Sequence, residues 1–180
     1  MREEYAIILD FLPTGYSASR YSKPIAQAIG ERNYSLFELA PKEGVVLTPE
    51  ERVYIGSGER DKIKIIKRRL KLKDLTTMAR ETLDAVLEKL IKQNEKSIIN
   101  FLNTAGMVTP RLHKLELLPG IGKKHAVNII KTRPFSSFED FIKKTGINDI
   151  EKIIKKRILM ELEGNEKYYL FTKPFVQKRF

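Results

Sequence analysis

Short apolar bursts dominate the first seventy-five or so residues and helically spaced apolar positions the remainder, so the chain changes period near Asp74. Residues 5–12 form an apolar run stopped by Pro13, residues 34–39 alternate around Leu36 and Phe37, and Val53-Tyr54-Ile55 ends at Gly56; each predicts a short strand. At Ile63 the alternation slips. Ile63 and Ile65 share one face while Ile66, Arg68, Leu70 and Leu72 continue on the other, which predicts a bulge or bend near Ile65-Ile66 of the kind that turns a small barrel's corners. Beyond it Lys67, Arg69, Lys71 and Lys73 are expected to project together, either as a solvated edge or as a track for a polyanion. Five or so strands fit a small barrel over residues 1–75. The segment 14–24 has no apolar period and carries Tyr16, Arg20, Tyr21 and Lys23, so it reads as a mobile loop.

Past Asp74, Thr76 or Thr77 is a plausible N-cap, and Leu83, Val86, Leu87, Leu90 and Ile91 fall on one buried helical stripe. A second helix is expected from residue 95 to about 104, with Ile98, Ile99 and Leu102 inward and a left-handed glycine cap at Ala105-Gly106. Residues 76–108 thus form a helical connector. Thr109-Pro110 predicts the start of a third helix, and residues 109–180 are expected to be helical up to Tyr168-Tyr169-Leu170-Phe171. That aromatic segment should pack back as a strand or extended arm, because four large apolar side chains in a row are poorly tolerated in water.

The most informative stretch is Leu118-Pro119-Gly120-Ile121-Gly122, a glycine-bracketed turn between an amphipathic segment and a basic helix beginning near Lys123. Glycines at 120 and 122 permit positive φ and leave no Cβ in the way of a close approach, while Ile121 inserts between the helices. The turn's N–H groups and the unpaired first-turn amides of the next helix then face outward at the helix's positive end. A phosphate oxygen fits there without any base contact, and Lys123, Lys124 and His125 flank it. This pattern resembles the helix-hairpin-helix motif, with Ala126 as the small residue at the helix crossing. A second copy lies downstream. Ser136 with Glu139 predicts a capping box, Phe138, Phe141 and Ile142 an inner face, and Thr145-Gly146-Ile147-Asn148 replays the turn before a helix with Ile150, Ile153, Ile154 and Ile158 inward. Lys152, Lys155, Lys156 and Arg157 are expected elsewhere on that helix. Asp149 stands where the first copy has Lys123, so the second copy reads as the scaffold that orients the first.

Composition sharpens this picture. The chain's 34 Lys and Arg exceed its 23 Asp and Glu by 11, and a pI near 9.7 favours a polyanionic partner. There is no cysteine, which removes disulfides, thiolate metal sites and cysteine nucleophiles. His113 and His125 lack metal-ligand spacing and are expected as exposed helix residues; neither a metal nor a cofactor is expected. No run of about 18 apolar residues occurs, and Met1-Arg2-Glu3-Glu4 leads straight into a strand, so no membrane association is expected and the protein reads as cytoplasmic.

From the strand Tyr5-Ala6-Ile7-Ile8-Leu9-Asp10-Phe11-Leu12-Pro13 through Arg52-Val53-Tyr54-Ile55-Gly56, Glu59-Arg60-Asp61-Lys62-Ile63 and the glycine turn to Tyr168-Tyr169-Leu170-Phe171-Thr172, the chain resembles the archaeal family called domain of unknown function 655. The resemblance implies an α+β protein: a small N-terminal OB-like or S1-like β-barrel followed by an α-helical domain with tandem helix-hairpin-helix motifs over residues 109–180. It also implies RNA or DNA as partner, with proteins of the translation or transcription machinery as further candidates, and it names no catalytic residue.

Non-enzymatic, largely sequence-independent nucleic-acid binding is therefore the expected function. Tyr16 and Tyr21 would stack on bases while Arg20 and Lys23 meet phosphates, unless the loop is only a disordered surface element. Two rivals stand beside this reading. A protein-interaction scaffold needs the charge only for solubility. A DNA glycosylase/lyase of the helix-hairpin-helix class places a Schiff-base lysine where Lys124 stands, but the aspartate it requires falls near Ile142, with Asp140 only nearby.

Overall fold

A computed structural model of the chain describes residues 2–16 and 22–175. The chain is α+β and divides into two compact units, residues 1–86 with 160–180 and residues 87–159. This differs from the three consecutive segments expected. The stretch 87–108 belongs with the later helices, and the C-terminal residues return to the first unit.

The first unit is built on strands β1 (Tyr5–Leu12), β2 (Ile25–Gly30), β3 (Leu36–Pro41), β4 (Arg52–Tyr54) and β5 (Ile63–Leu70). They pair antiparallel in the order β4-β1-β2-β3-β5, a curled half-barrel. The expected barrel is therefore open, because β4 and β5 are its two edges and do not pair with each other. Every residue of β2 is buried. Ala26 and Ala28 face a core with Ile8, Leu39, Leu47, Val53 and Ile63, and by alternation Gln27 faces the other way. The expected irregularity in β5 is present in duplicate: Ile63 and Ile65 oppose consecutive residues of β3, as do Ile66 and Arg68, so Lys64 and Lys67 are each an extra residue.

A 3-10 turn, Leu72–Asp74, leads to helix α1 (Thr77–Gln93). Thr76 caps it, its Oγ1 accepting from the Ala79 amide at 3.1 Å, and the predicted stripe Leu83, Val86, Leu87, Leu90 and Ile91 is buried. At the C-terminal end the aromatic segment packs back as expected, half-buried, but as a series of bends and not as a strand. The buried Glu161 carboxylate collects the amides of Leu170, Phe171 and Thr172 at 2.7, 3.1 and 2.8 Å.

In the second unit α2 (Glu95–Thr104) buries Ile98, Ile99 and Leu102. Its end is not the expected left-handed glycine. Ala105 is extended (φ −55°, ψ 132°), and the orphan carbonyls are taken by Arg133, whose Nε and Nη2 donate to Leu102 and Ala105 at 2.7 and 2.9 Å. The helix expected from Thr109-Pro110 is instead a small hairpin, β6 (Met107–Thr109) with β7 (Leu112–His113), followed by a single 3-10 turn, Lys114–Leu117. His113 is the reason the chain turns there: its Nδ1 accepts from the Leu115 amide at 3.1 Å, while its own amide donates to Glu116 at 2.8 Å. It is buried, not exposed as expected. Helices α3 (Lys123–Thr132), α4 (Phe138–Thr145) and the larger part of α5 (Ile150–Glu163), up to residue 159, complete the unit. The α4 cap lies one residue later than predicted, at Ser137, whose Oγ accepts from the Asp140 amide while Asp140 accepts from the Ser136 amide. On α5, Ile150, Ile154 and Ile158 are buried as expected, but so is Arg157, which donates Nη1 to the Leu117 carbonyl at 3.1 Å.

Burial pushes the His113 imidazole below its ordinary value of 6.5, and the Arg133 charge adds to the push against Glu116. A depressed folded value means that the unfolded chain takes up the proton first as pH falls. His113 therefore contributes stability in full above about pH 6.5 and loses it on acidification. Denaturant unfolding across this range should show wild type losing more stability toward acid than His113→Asn, which keeps an amide acceptor without the titration; equal slopes would refute the assignment.

Candidate nucleic-acid interface

The glycine turn is built from the inside out. Leu118 and Ile121 are buried, at 1% and 4% exposure, and the Ile121 amide closes the turn on the Leu118 carbonyl at 3.0 Å. Anchored at both apolar residues, the chain reverses at Gly120 with φ +80°, a conformation that side chains disfavour. Gly122 then caps α3 in extended conformation, and no side chain supplies a capping hydrogen bond. A Cβ at either glycine would meet nothing within 4 Å. The turn accordingly presents bare backbone to open space beside the uncapped first-turn amides of a ten-residue helix. Lys123, Lys124 and His125 are all exposed there, and His125 Nδ1 lies 3.3 Å from the Gly120 carbonyl. Among the described residues neither lysine has a carboxylate within ion-pair distance. Ala126 is buried on the inner side of α3, as expected of a residue at a close helix crossing. Pro119 is half-buried beside Leu118.

Gly146 repeats the reversal with φ +75° and closes α4, its amide donating to the Ile142 carbonyl at 2.8 Å. The helix start after it is different. Asp149 accepts the first backbone bond of α5 from Ile153, so a carboxylate already sits at that helix's positive end. Helix α3 is tied to the second turn, Asn128 donating Nδ2 to the Thr145 carbonyl at 3.0 Å. Of the cations expected on the outside of α5, Lys152 and Lys156 are exposed, whereas Arg157 is buried and Lys155 pairs with Glu88 at 2.9 Å.

The four cations after the β5 bend do not form a row. The bulge at Lys67 puts Lys67 and Arg68 beside the same buried carboxylate, Glu38, at 3.2 and 2.9 Å. Arg69 turns to the opposite face, donating to the carbonyls of Lys173 and Pro174 at 3.0 and 2.9 Å and to the Ser35 hydroxyl at 3.3 Å. The strand ends at Leu70, so Lys71 and Lys73 follow turn geometry: the Lys71 ammonium lies 5.1 Å from the Phe175 ring centre, and Lys73 is exposed. Of the loop residues, Tyr16 has an exposed ring but a committed hydroxyl, which donates to Glu38 at 2.8 Å and accepts from Gln27 at 3.0 Å. Burial and the Glu38 charge raise the Tyr16 phenol, while Gln27 opposes them. Burial would raise the Glu38 carboxyl, but the Tyr16 and Lys67 hydrogen bonds and the Arg68 charge outweigh it and hold it below its ordinary range. Lys23 is exposed; Arg20 and Tyr21 lie outside the described residues.

Unforeseen from the sequence is a polar row across four strands: Asp10 opposes Gln27, Gln27 opposes Glu38, and Glu38 opposes Arg68. Its signal was present in the alternation of Ala26-Gln27-Ala28, though only the strand register shows that the polar members meet.

A family model described as "Protein of unknown function (DUF655)" matches residues 2–173. A curated relative, "Uncharacterized protein MJ0038" of Methanocaldococcus jannaschii, is 43% identical over 176 residues, 95% of this chain and 80% of that protein. A crystal structure of Af1531 from Archaeoglobus fulgidus superposes with a TM-score of 0.84 at 44% identity, covering 95% of this chain and all of that one.

The geometry separates the two glycines experimentally. Gly120→Ala forces a Cβ into left-handed backbone and should lower unfolding stability by about 1–2 kcal/mol, whereas Gly122→Ala, extended and with open space, should change it by less than about 0.5 kcal/mol. Chemical denaturation of both variants measures this, and equal effects would contradict the turn described.

Proposed function

This chain belongs to the DUF655 family, and from that premise we propose a non-enzymatic, largely sequence-independent nucleic-acid-binding protein that grips the phosphate backbone at residues 118–125. The observation that carries the reading is the pairing of bare, outward backbone at Gly120 and Gly122 with unpaired Lys123 and Lys124 at the start of α3. A phosphate oxygen accepts from the first-turn amides, where the helix dipole favours negative charge, and the two ammonium groups supply salt-dependent attraction. On this reading the two reversals at Gly120 and Gly146 form tandem helix-hairpin-helix motifs whose leading helix in the first copy is shortened to one 3-10 turn. The second copy positions the first through Asn128, and the half-barrel is OB-like. RNA and DNA fit alike, since main-chain amides read phosphate and not sugar.

Lys124 lies exposed, which favours a solvated phosphate contact over the desolvated amine of a glycosylase/lyase. The scaffold reading draws on one observation of its own. Val127 and Ile130 are 48% and 41% exposed on α3, three residues apart, and would suit a protein partner that brings the chain to the translation or transcription machinery.

Fluorescence anisotropy with single- and double-stranded RNA and DNA across a salt series tests the proposal. The expected result is a linear fall of log affinity with log salt. In the Lys123→Ala/Lys124→Ala variant, binding should weaken roughly tenfold at low salt and the slope should shrink by about one to two. Absence of binding at low salt, or an unaltered slope in the variant, favours the scaffold.

A further inference from the structure

The open half-barrel leaves a cleft of about 450 Å3 in the first unit, within the roughly 300–1,000 Å3 of small-molecule sites. Ile66 and Arg69 line it from β5, and Ile55, Gly56 and Ser57 line it from the residues after β4. β5 is one edge of the sheet, and residues 55–57 follow β4, the strand at the other edge. The inner part is apolar, with Phe37, Ile55 and Ile66, while Arg2, Arg60, Arg69 and Lys173 bring positive charge to the same space.

Charge at this cleft is poorly compensated. The three oxygens that hold Arg69 belong to the Ser35 hydroxyl and the carbonyls of Lys173 and Pro174, so all are neutral, and its Nε is buried without an acceptor. Burial pushes this guanidinium below its ordinary range, against the charges of Tyr169 and Glu3. A desolvated cation held only by neutral groups favours an anion nearby. Arg60 is likewise held by a neutral oxygen, its Nε donating to the Gly56 carbonyl at 2.8 Å. Two carboxylates line the cleft beside Arg2, Arg60 and Arg69, and one is already engaged: Glu3 is buried and accepts the amides of Arg32 and Asn33 at 3.0 and 2.6 Å. The excess of cations, the ring of Phe37 and the volume together select a ligand with a flat apolar body and a phosphate.

We infer that the cleft between β5 and the turn after β4 binds a nucleoside phosphate, its base against Phe37 and Ile66 and its phosphate among Arg2, Arg60 and Arg69. Free nucleotide and the phosphorylated end of a strand share this chemistry. The site is separate in sequence and in charge from the hairpin at residues 118–125, so it goes beyond that reading and does not rest on it.

Isothermal titration of the full chain with AMP and UMP, with a 5′-phosphorylated trinucleotide, with adenosine and with inorganic phosphate tests the inference. Ser57→Glu is the principal variant: Ser57 is exposed, and the change sets a carboxylate at the cleft without deleting an observed bond. Arg60→Ala is the second. Saturable binding of the nucleotides, weakened at least about tenfold in both variants and unchanged in Lys123→Ala/Lys124→Ala, is the expected result. If the mononucleotides bind, the ligand is free nucleotide; if only the trinucleotide binds, it is a strand end, and either supports the site. The inference is overturned if neither binds saturably, if folded Ser57→Glu binds as wild type does, or if inorganic phosphate alone binds as tightly as AMP.

Discussion

A primary amide with no exposure must find partners for its N–H and C=O groups or cost folding free energy, and Gln27 finds them across the first unit. Its Oε1 accepts from the Thr76 amide at 2.9 Å, and its Nε2 donates to the Asp74 carbonyl and the Tyr16 hydroxyl, each at 3.0 Å. Thr76, so placed, donates to Asp10 at 2.6 Å and caps α1. One buried side chain on β2 thereby fixes where the first helix starts. It also fixes register, because a slip of one residue would carry Gln27 into the apolar face that Ala26 and Ala28 now occupy. The row continues to Glu38, and there the bulge in β5 brings Lys67 and Arg68 to one carboxylate and sends Arg69 to the inner face. The cationic cleft is thus a downstream consequence of how the polar row is satisfied.

In the second unit two similar reversals differ in the residues that open the next helix. Gly120 and Gly146 adopt nearly the same φ, and both are exposed with open space around them. After Gly146 comes Asp149, a negative charge supplied by the chain itself; after Gly120 come Gly122 and two lysines, which leave the helix's positive end both uncapped and surrounded by more positive charge. That arrangement is electrostatically costly without an anion from outside. The asymmetry between the copies is therefore informative in itself, since packing alone would be served equally well by an acidic cap on α3.

Periodicity made much of the fold legible. The strand at residues 5–12, the stripe of α1 and the whole of α2 follow from apolar spacing, because there burial on one face decides the structure. Predictions failed where a polar side chain redirected the backbone. His113 and Glu116 wind a 3-10 turn where Thr109-Pro110 suggested a helix, and Arg133, distant in sequence, replaces a glycine cap on α2. Closure of the barrel was not readable either, since edge pairing depends on where two bulges aim the end of β5. At the candidate site the turn was legible from its glycines and lysines, because the motif is local. The supposed track of Lys67, Arg69, Lys71 and Lys73 was not, because period-two reasoning assumes a strand that continues past Leu70. The cleft drew no sequence signal at all: its cations come from positions 2, 60, 69 and 173.

The surplus of 11 positive charges, finally, is answered by carboxylates at some positions and not at others. On the half-barrel many cations are answered locally, Arg52 by Glu31, Lys62 by Glu51, Lys67 and Arg68 by Glu38, and on the later helices Lys144 by Asp140 and Lys155 by Glu88. The exposed ones among these pairs add little stability, yet each pair cancels the field at its own position. Cations without a carboxylate partner therefore set the field that an approaching polyanion meets. Lys123 and Lys124 at the glycine turn are of this kind, as are Arg60 and Arg69 at the cleft, among the described residues. Exposed cations such as Lys64, Lys73, Lys114 and Lys131 also lack a carboxylate partner among the described residues, so what distinguishes the turn and the cleft is shape, bare backbone at one and a concave apolar wall at the other. Composition supplies the charge but neither of those shapes, and it is the shapes that an anionic ligand would engage.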